Sequence, residues 1–443
     1  MTEHSNHASG GGPARSTGKP AWETADRQGS LSDKARVEEA LNSFVRDTSF
    51  ETATYMESCI HCGLCAEVCQ FYTTTGDPQY TPIWKLEPFK QAYKREIGPF
   101  WFIYKALGLK HRVTIDELEN WQHLLYDACN LCGRCSMVCP MGIDISSLIG
   151  VARRGMYRAG LVPDELMALE GTMPDLSPEV FINCIRQLEQ EYGIKIPVDL
   201  DQADVLLTIS AVEVLKYPKT LVDLAKILNH MGYSWTYRSE GYEASSLGAL
   251  SGDADWQATM NMKLIQAATD CQAKLIVLPE CGHAYSELRW HAANVYGKEL
   301  PFRIVHITEL LAEGVENGRV RVTPAAGSVT FHDPCAVSRV GGATAAPRKV
   351  LKALGVDLHE LPGGGDMNWC CGGGGGVASI HRADELRYKA FRVKIEQVEQ
   401  SGADQLYTSC STCRQTFEES GNHFSWDRKA NSLVELVAEH LAD

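Results

Sequence analysis

Sixteen cysteines in a chain of 443 residues, most of them in tight groups, constrain this sequence more than any other feature. Two groups repeat one spacing: Cys59-x2-Cys62-x2-Cys65-x3-Cys69, then Cys129-x2-Cys132-x2-Cys135-x3-Cys139-Pro140. Three closely spaced thiolates wrap one corner of a [4Fe–4S] cubane, and in two-cluster ferredoxins the fourth ligates the other cluster. The spacing therefore predicts two cubanes, one on Cys59, Cys62, Cys65 and Cys139, the other on Cys129, Cys132, Cys135 and Cys69. Four-cysteine zinc sites use paired spacings rather than this run repeated. Gln70 stands where a proline often follows the fourth cysteine, a departure that leaves the thiol spacing intact.

Cysteine-dense secreted scaffolds are mostly short, and ordinary cytosolic thiols stay reduced. A chain this long points to metal or redox chemistry instead. The first 30 residues carry no apolar signal core, so a cytoplasmic protein is expected. The formal net charge is −14, against the basic footprint of a nucleic-acid binder, so no nucleic-acid partner is expected. No apolar run approaches the roughly 18 residues that a membrane helix needs.

Residues 1–31 are polar and Gly/Ser-rich and read as a disordered tail. A helical pattern begins near Ser32, with Leu41, Phe44 and Val45 on one face. The segment 70–128 between the cysteine runs is aromatic and basic, with Trp84, Phe100, Trp101 and Phe102 beside Lys90, Lys94 and Arg95. It reads either as a docking surface for a membrane partner, basic residues toward lipid headgroups, or as helices packed over the clusters. From Asp201 short β-rich runs (Val205–Ile209, Leu275–Leu278, Ile304–Ile307, Val329–Phe331, Gln405–Thr408) alternate with helical stretches. This is the texture of βαβ units around a parallel sheet.

That half reads as a duplication, 201–320 and 321–443. Ser245 and Ser246 lie 35 and 36 residues beyond Ser210; Cys370 and Cys371 lie 35 and 36 beyond Cys335. Cys281 and Ala284 of the first copy then match Cys410 and Cys413 of the second. The second copy thus holds Cys335, Cys370, Cys371, Cys410 and Cys413 where the first has Ser, Ser, Ser, Cys and Ala. Five thiolates, two adjacent, exceed a zinc site's four and suit a larger, irregular iron–sulfur unit. Glycines around the pair would let backbone N–H groups approach its sulfides. Cys281 reads as an auxiliary thiol or a structural one; Cys184 and Cys271 read as small apolar core residues.

The Cys…Cys-Cys-Gly…Cys-x2-Cys pattern resembles the CCG domain of heterodisulfide reductases. Joined to two ferredoxin motifs, it resembles the D-type subunit of the membrane-bound heterodisulfide reductase over roughly 40–440. The local wording, FYTTTGDP at Phe71–Pro78, PECGHAY at Pro279–Tyr285, FHDPC at Phe331–Cys335, WCCGGGGGV at Trp369–Val377 and HFSWD at His423–Asp427, is similar to the K-type subunit of the dissimilatory sulfite reductase-associated membrane complex. The expected fold is α+β and multidomain: a helical two-cluster ferredoxin-type domain over 32–200, then a duplicated α/β CCG domain whose first copy is degenerate.

The resemblance implies a non-cubane [4Fe–4S] cluster on Cys335, Cys370, Cys371, Cys410 and Cys413 that cleaves or forms a disulfide. It also implies a cytochrome b-type quinone-interacting membrane subunit and a small dithiol/disulfide carrier protein as partners, and a site on the inner face of the cytoplasmic membrane. His332, at a strand end before Cys335, is a candidate proton donor to a leaving thiolate. Two other readings compete. One is an electron-relay subunit of a glycolate, lactate or glycerol-3-phosphate dehydrogenase, disfavoured by Ser245 and Ser246. The other is a redox sensor using Cys410 and Cys413 as a dithiol, which leaves Cys370-Cys371 unexplained.

Overall fold

The computed structural model describes residues 31–109, 112–172, 178–240 and 245–442. The tail predicted over 1–31 lies, but for Leu31, outside them. The first half is helical. Ser32 caps the helix Asp33–Asp47, its hydroxyl accepting from the Ala35 N–H. Ala40, Ser43 and Phe44 form the buried face, whereas Val45, predicted on it, is 39 % exposed. That helix lies across Ile145–Arg158, and a Cβ at Gly155 would overlap the Phe44 ring. Phe89 and Trp121 complete this core, their ring centroids 5.0 and 5.8 Å from that of Phe44.

Each ferredoxin-type run folds the same way. His61 and Gly63 in one, Leu131 and Gly133 in the other, take positive φ and turn the loop back on itself. One-turn helices follow, Leu64–Glu67 and Arg134–Met137. The repeated cysteine spacing therefore corresponds to a repeated backbone.

The second half holds two sheets of four parallel strands. The first comprises β1 (Val205–Leu207), β2 (Trp235–Thr236), β3 (Leu275–Leu278) and β4 (Arg303–His306), in the order β2-β1-β3-β4. The second comprises β5 (Ser328–His332), β6 (Asp357–Leu358), β7 (Gln405–Thr408) and β8 (Ala430–Ser432), in the order β6-β5-β7-β8. The orders are identical and every pairing is parallel, as a duplicated α/β unit requires. One hydrophobic core, including Val205, Val277, Val329 and Phe331, runs through both units.

The copies diverge where the cysteine pair would stand. A Gly-flanked loop is predicted at Ser245-Ser246; a helix, Ser245–Ser251, begins there instead and packs on Ala254–Asp270. Without cluster ligands to present, that segment takes its own hydrogen bonds within a helix.

Three parts of the chain meet at one side chain. Arg153 is fully buried, and its guanidinium donates to the carbonyls of Leu125, Cys129, Leu250 and Gly375 at 2.7–3.2 Å. It thereby pins the second cysteine run, the first α/β unit and the glycine run together.

Candidate iron–sulfur centres

The cysteines converge in three places, and all are free thiols. Cys59, Cys62, Cys65 and Cys139 line one cavity with Ile83, Ile143 and Ile145. This cavity lies at the surface: Cys62 is exposed, as are Ile60, Leu64, Met137 and Met141 around it. Cys69, Cys129, Cys132 and Cys135 line a second cavity, closed by Phe71, Ile149, Trp369 and Cys370. Each cavity thus combines three cysteines of one run with the fourth of the other.

The third group sits at the carboxyl ends of neighbouring strands, where open parallel sheets present their sites. Cys335 follows β5 and Cys410 follows β7. The Cys335 and Cys370 sulfurs are 3.7 Å apart, and the Gly372 N–H donates to Cys370 Sγ at 3.4 Å. Hydrogen bonds with Cys370 and Cys413, aided by the Gly373 N–H, hold Cys371 well below the usual thiol range. Hydrogen bonds from Cys413 and from the Gly282 N–H lower Cys410. A ring nitrogen of His332 and the Cys371 and Cys413 sulfurs all lie within 4.8 Å of one another.

These donor sets fit iron–sulfur clusters. The donors are soft sulfur in mostly apolar walls, and burial pushes Cys65, Cys132 and Cys135 up, Cys132 to about 11. Thiolates in such surroundings need a cation against them, which ligated iron supplies. Backbone N–H groups aimed at sulfur are the contacts that tune a cluster.

The second and third groups adjoin. Cys132 packs against the buried set that includes Cys335, Cys370 and Cys413. Arg134 stacks on Trp369, 3.4 Å from the ring centroid, and donates to the carbonyls of Met367 and Val68. Arg339 donates to the carbonyls of Cys132, Asp366 and Asn368. Sequence reasoning missed both arginines. Nothing in the spacing marks them, because their acceptors are main-chain carbonyls up to 233 residues away.

The glycine run has a steric reason of its own. A Cβ at Gly375 would lie 2.5 Å from the Cys129 carbonyl oxygen, and one at Gly373 would lie 2.1 Å from Thr416 Oγ1. With its amide turned so that the nitrogen faces the run, Asn130 donates to the carbonyls of Gly372 and Gly374 and accepts from Gln70. The run lets one protein backbone lie directly on another, a close approach not anticipated from the sequence.

His332 is fully buried, and its tautomer follows from its neighbours. Lys394 donates to Asn368 Oδ1, so the Asn368 amide nitrogen is the donor to His332 Nδ1 at 3.1 Å and to the Asp333 carbonyl at 2.8 Å. Nδ1 is then the acceptor and Nε2 carries the hydrogen, with no partner among the described residues. Burial holds His332 well below the usual imidazole range, so the ring is neutral. His283 accepts from the Gly375 N–H. Cys281 precedes Gly282, whose N–H meets Cys410. Cys271 is buried in the core of the first α/β unit, and Cys184 packs half-buried on the core that both units share.

The buried histidines set a pH dependence. Burial pulls His283 down to about 4 and His306 to about 3, against about 6.5 in the unfolded chain. The unfolded state therefore binds more protons between these values, and stability complete above pH ~6.5 falls as the pH drops toward 4. His283 alone contributes about 3 kcal/mol across that window. Thermal midpoints of the loaded protein at successive pH values check this, and His283→Gln should flatten the slope.

Comparison with known proteins agrees with this architecture. Residues 55–143 match the 4Fe-4S dicluster domain family and residues 329–418 the cysteine-rich (CCG) domain family. The chain thus joins a segment that matches the dicluster family to one that matches the cysteine-rich family, and the relatives it resembles over most of its length are heterodisulfide reductase-like iron–sulfur subunits. It is 23 % identical to the Hdr-like menaquinol oxidoreductase iron-sulfur subunit 2 of Archaeoglobus fulgidus, over 91 % of this chain and 82 % of that one. It is 24 % identical to the D-type subunit of the dihydromethanophenazine:CoB–CoM heterodisulfide reductase of Methanosarcina barkeri, over 87 % and 94 %. An EtfAB:quinone oxidoreductase of Syntrophomonas wolfei is 24 % identical, over 83 % and 56 %.

Proposed function

We propose that this chain is the iron–sulfur subunit of a membrane-associated redox complex that reduces or forms a disulfide or trisulfide of a thiol substrate or small carrier protein. Electrons pass singly between a cubane on Cys59, Cys62, Cys65 and Cys139, a cubane on Cys69, Cys129, Cys132 and Cys135, and a non-cubane [4Fe–4S] cluster on Cys335, Cys370, Cys371, Cys410 and Cys413. The observation that carries this reading is the order of the three groups in space. The first reaches the surface at Cys62, the second adjoins it at Ile145, which lines both cavities, and Cys132 of the second packs on the third. One-electron transfer is the chemistry these clusters supply when bound.

Reducing a disulfide consumes two electrons and two protons. The neutral His332 ring, near the Cys371 and Cys413 sulfurs, can donate a hydrogen bond from Nε2 to a thiolate but is too weak an acid to protonate it, so the two protons are assigned to solvent. Arg134 and Arg339 keep the second and third groups at fixed separation. Trp369 and Cys370 both line the second cavity.

Among the described residues no helix is long and apolar enough to cross a membrane, so quinone exchange is assigned to a cytochrome b-type partner on the inner face of the membrane. The 70–128 segment supports this by dividing in two. Phe89, Lys90 and Tyr93 are buried inward, so Lys90 does not face lipid as its place in the basic run suggests. The helix Trp101–Leu107 buries no side chain, and Phe100, Phe102 and Leu107 are 58–66 % exposed. Replacing Trp101 and Phe102 with Glu should cut the membrane-bound fraction at least tenfold while leaving iron content unchanged, as flotation assays would show.

Metal analysis of protein purified without oxygen tests the main reading. About 12 iron per chain with no zinc supports three four-iron clusters, and about 8 in a well-loaded preparation sinks the third. The named EtfAB:quinone relative favours a second reading, a relay from a flavoprotein. Co-purification of a flavoprotein, without disulfide turnover, would select it.

A further inference from the structure

Lysine is almost never fully buried without a partner for its charge. Three lysines are buried among the described residues: Lys85 at 2 % exposure, Lys90 at 6 % and Lys394 at 0 %. We propose that these three are buried ammonium groups whose positive charge raises the reduction potentials of the clusters, one lysine to each centre. The inference rests on the ligand sets proposed above.

Lys85 ends the helix Pro82–Lys85. Its ammonium donates to the Ala128 carbonyl and to Cys69 Sγ at 3.6 Å, inside the second cavity. Lys90, on Glu87–Glu96, places Nζ 3.2 Å from Nε2 of His61, within the loop Cys59–Cys62. Lys394, on Asp384–Ser401, donates to Asn368 Oδ1 at 3.1 Å and to Gln397 Oε1.

None of the three makes an ion pair with a described carboxylate. The carboxylate whose charge acts on Lys394 is Asp333, and it is already committed. Arg348 grips both its oxygens at 2.5 and 2.8 Å, and the Gly365 N–H donates to it at 2.7 Å. The counter-charge left for Lys394 is sulfur. Burial pulls the ammonium down to about 7, against the opposing pull of Cys371, Asp333, Cys370 and Cys413.

Reducing a cluster adds negative charge, so a neighbouring cation in a low-dielectric interior favours the reduced form. Net charge and hydrogen bonds to sulfur are among the terms that set iron–sulfur potentials. All three lysines come from segments outside the cysteine motifs, so each potential can be set independently of its ligands.

The test is a redox titration of the loaded full-length protein at about pH 6, where the Lys394 ammonium is charged, following each centre by EPR, in Lys85→Met, Lys90→Met and Lys394→Met. Each substitution should lower the midpoint of its own centre. The expected size is about tenfold in the ratio of reduced to oxidised form, ~59 mV for one electron, with the other two centres unmoved. Lysine to arginine should hold the midpoint. Unmoved midpoints at full iron content, or equal shifts in all three centres, overturn the proposal. If a methionine variant fails to load, loading of the arginine variant sustains the charge role, and failure of both assigns the lysine to packing and overturns it. A wild-type protein with only two centres would instead sink the five-cysteine cluster; Lys85 and Lys90 would still be judged on the two cubanes.

Discussion

Serine in place of Cys371 is expected to lower iron from about 12 to about 8 per chain and to abolish disulfide turnover. Cys371 is central to the third group, hydrogen-bonded with Cys370 and Cys413 and within 4.8 Å of the His332 ring nitrogen. A hydroxyl is a harder and less acidic ligand than a thiol, so serine would hold iron poorly there. The two cubane EPR signals should persist, because their eight cysteines sit on other loops. Cys184→Ser is the matched control: it packs half-buried on a hydrophobic core and should leave iron unchanged. Retention of about 12 iron in the Cys371 variant would remove the five-cysteine cluster from this account.

Alanine at Gly375 should be among the most damaging substitutions outside the cysteines. Its φ is +63°, and the new methyl would lie 2.5 Å from the Cys129 carbonyl oxygen and under 3 Å from Asn130 backbone atoms. Neither neighbour can yield, since Arg153 ties the Cys129 and Gly375 carbonyls to one guanidinium. The backbone strain and the overlap together predict a loss of about 3–5 kcal/mol, with iron lost from the second and third groups. Gly372→Ala separates the two effects. Its φ is +94°, but the nearest atom to a new Cβ is 3.6 Å away, so only the strain term of about 1–3 kcal/mol applies. Thermal unfolding with iron analysis of both variants, prepared without oxygen, decides the matter. Equal losses in the two would mean that the contact with Cys129 carries no weight.

Much of the architecture was legible because its signals are local. The two cysteine runs specify two loops of the same conformation, and the short apolar runs from Val205 to Thr408 specify buried parallel strands. Equal spacing from Ser210 and from Cys335 exposed the duplication before any sheet order was known. Three strands escaped notice for the same local reason. β2 and β6 are two residues long, and β8 reads Ala-Asn-Ser, so none carries an apolar run to detect. The direction of Lys90 stayed open between lipid and the clusters because its sequence neighbours Lys94 and Arg95 are basic, while that direction depends on where Glu87–Glu96 packs.

Thiol chemistry and its multiplicity were therefore written in the chain itself: ligand identity depends on which residues are cysteine, and spacing along a loop limits which can converge. Their surroundings were decided by packing. The Arg134 and Arg339 bonds to distant carbonyls, the glycine run lying on Cys129, the Asn368 amide that settles the His332 tautomer and the three buried lysines all join residues far apart in sequence. Contacts of that kind leave no periodicity or spacing, because they exist only once two sheets and a helical domain have closed around the same sulfur atoms.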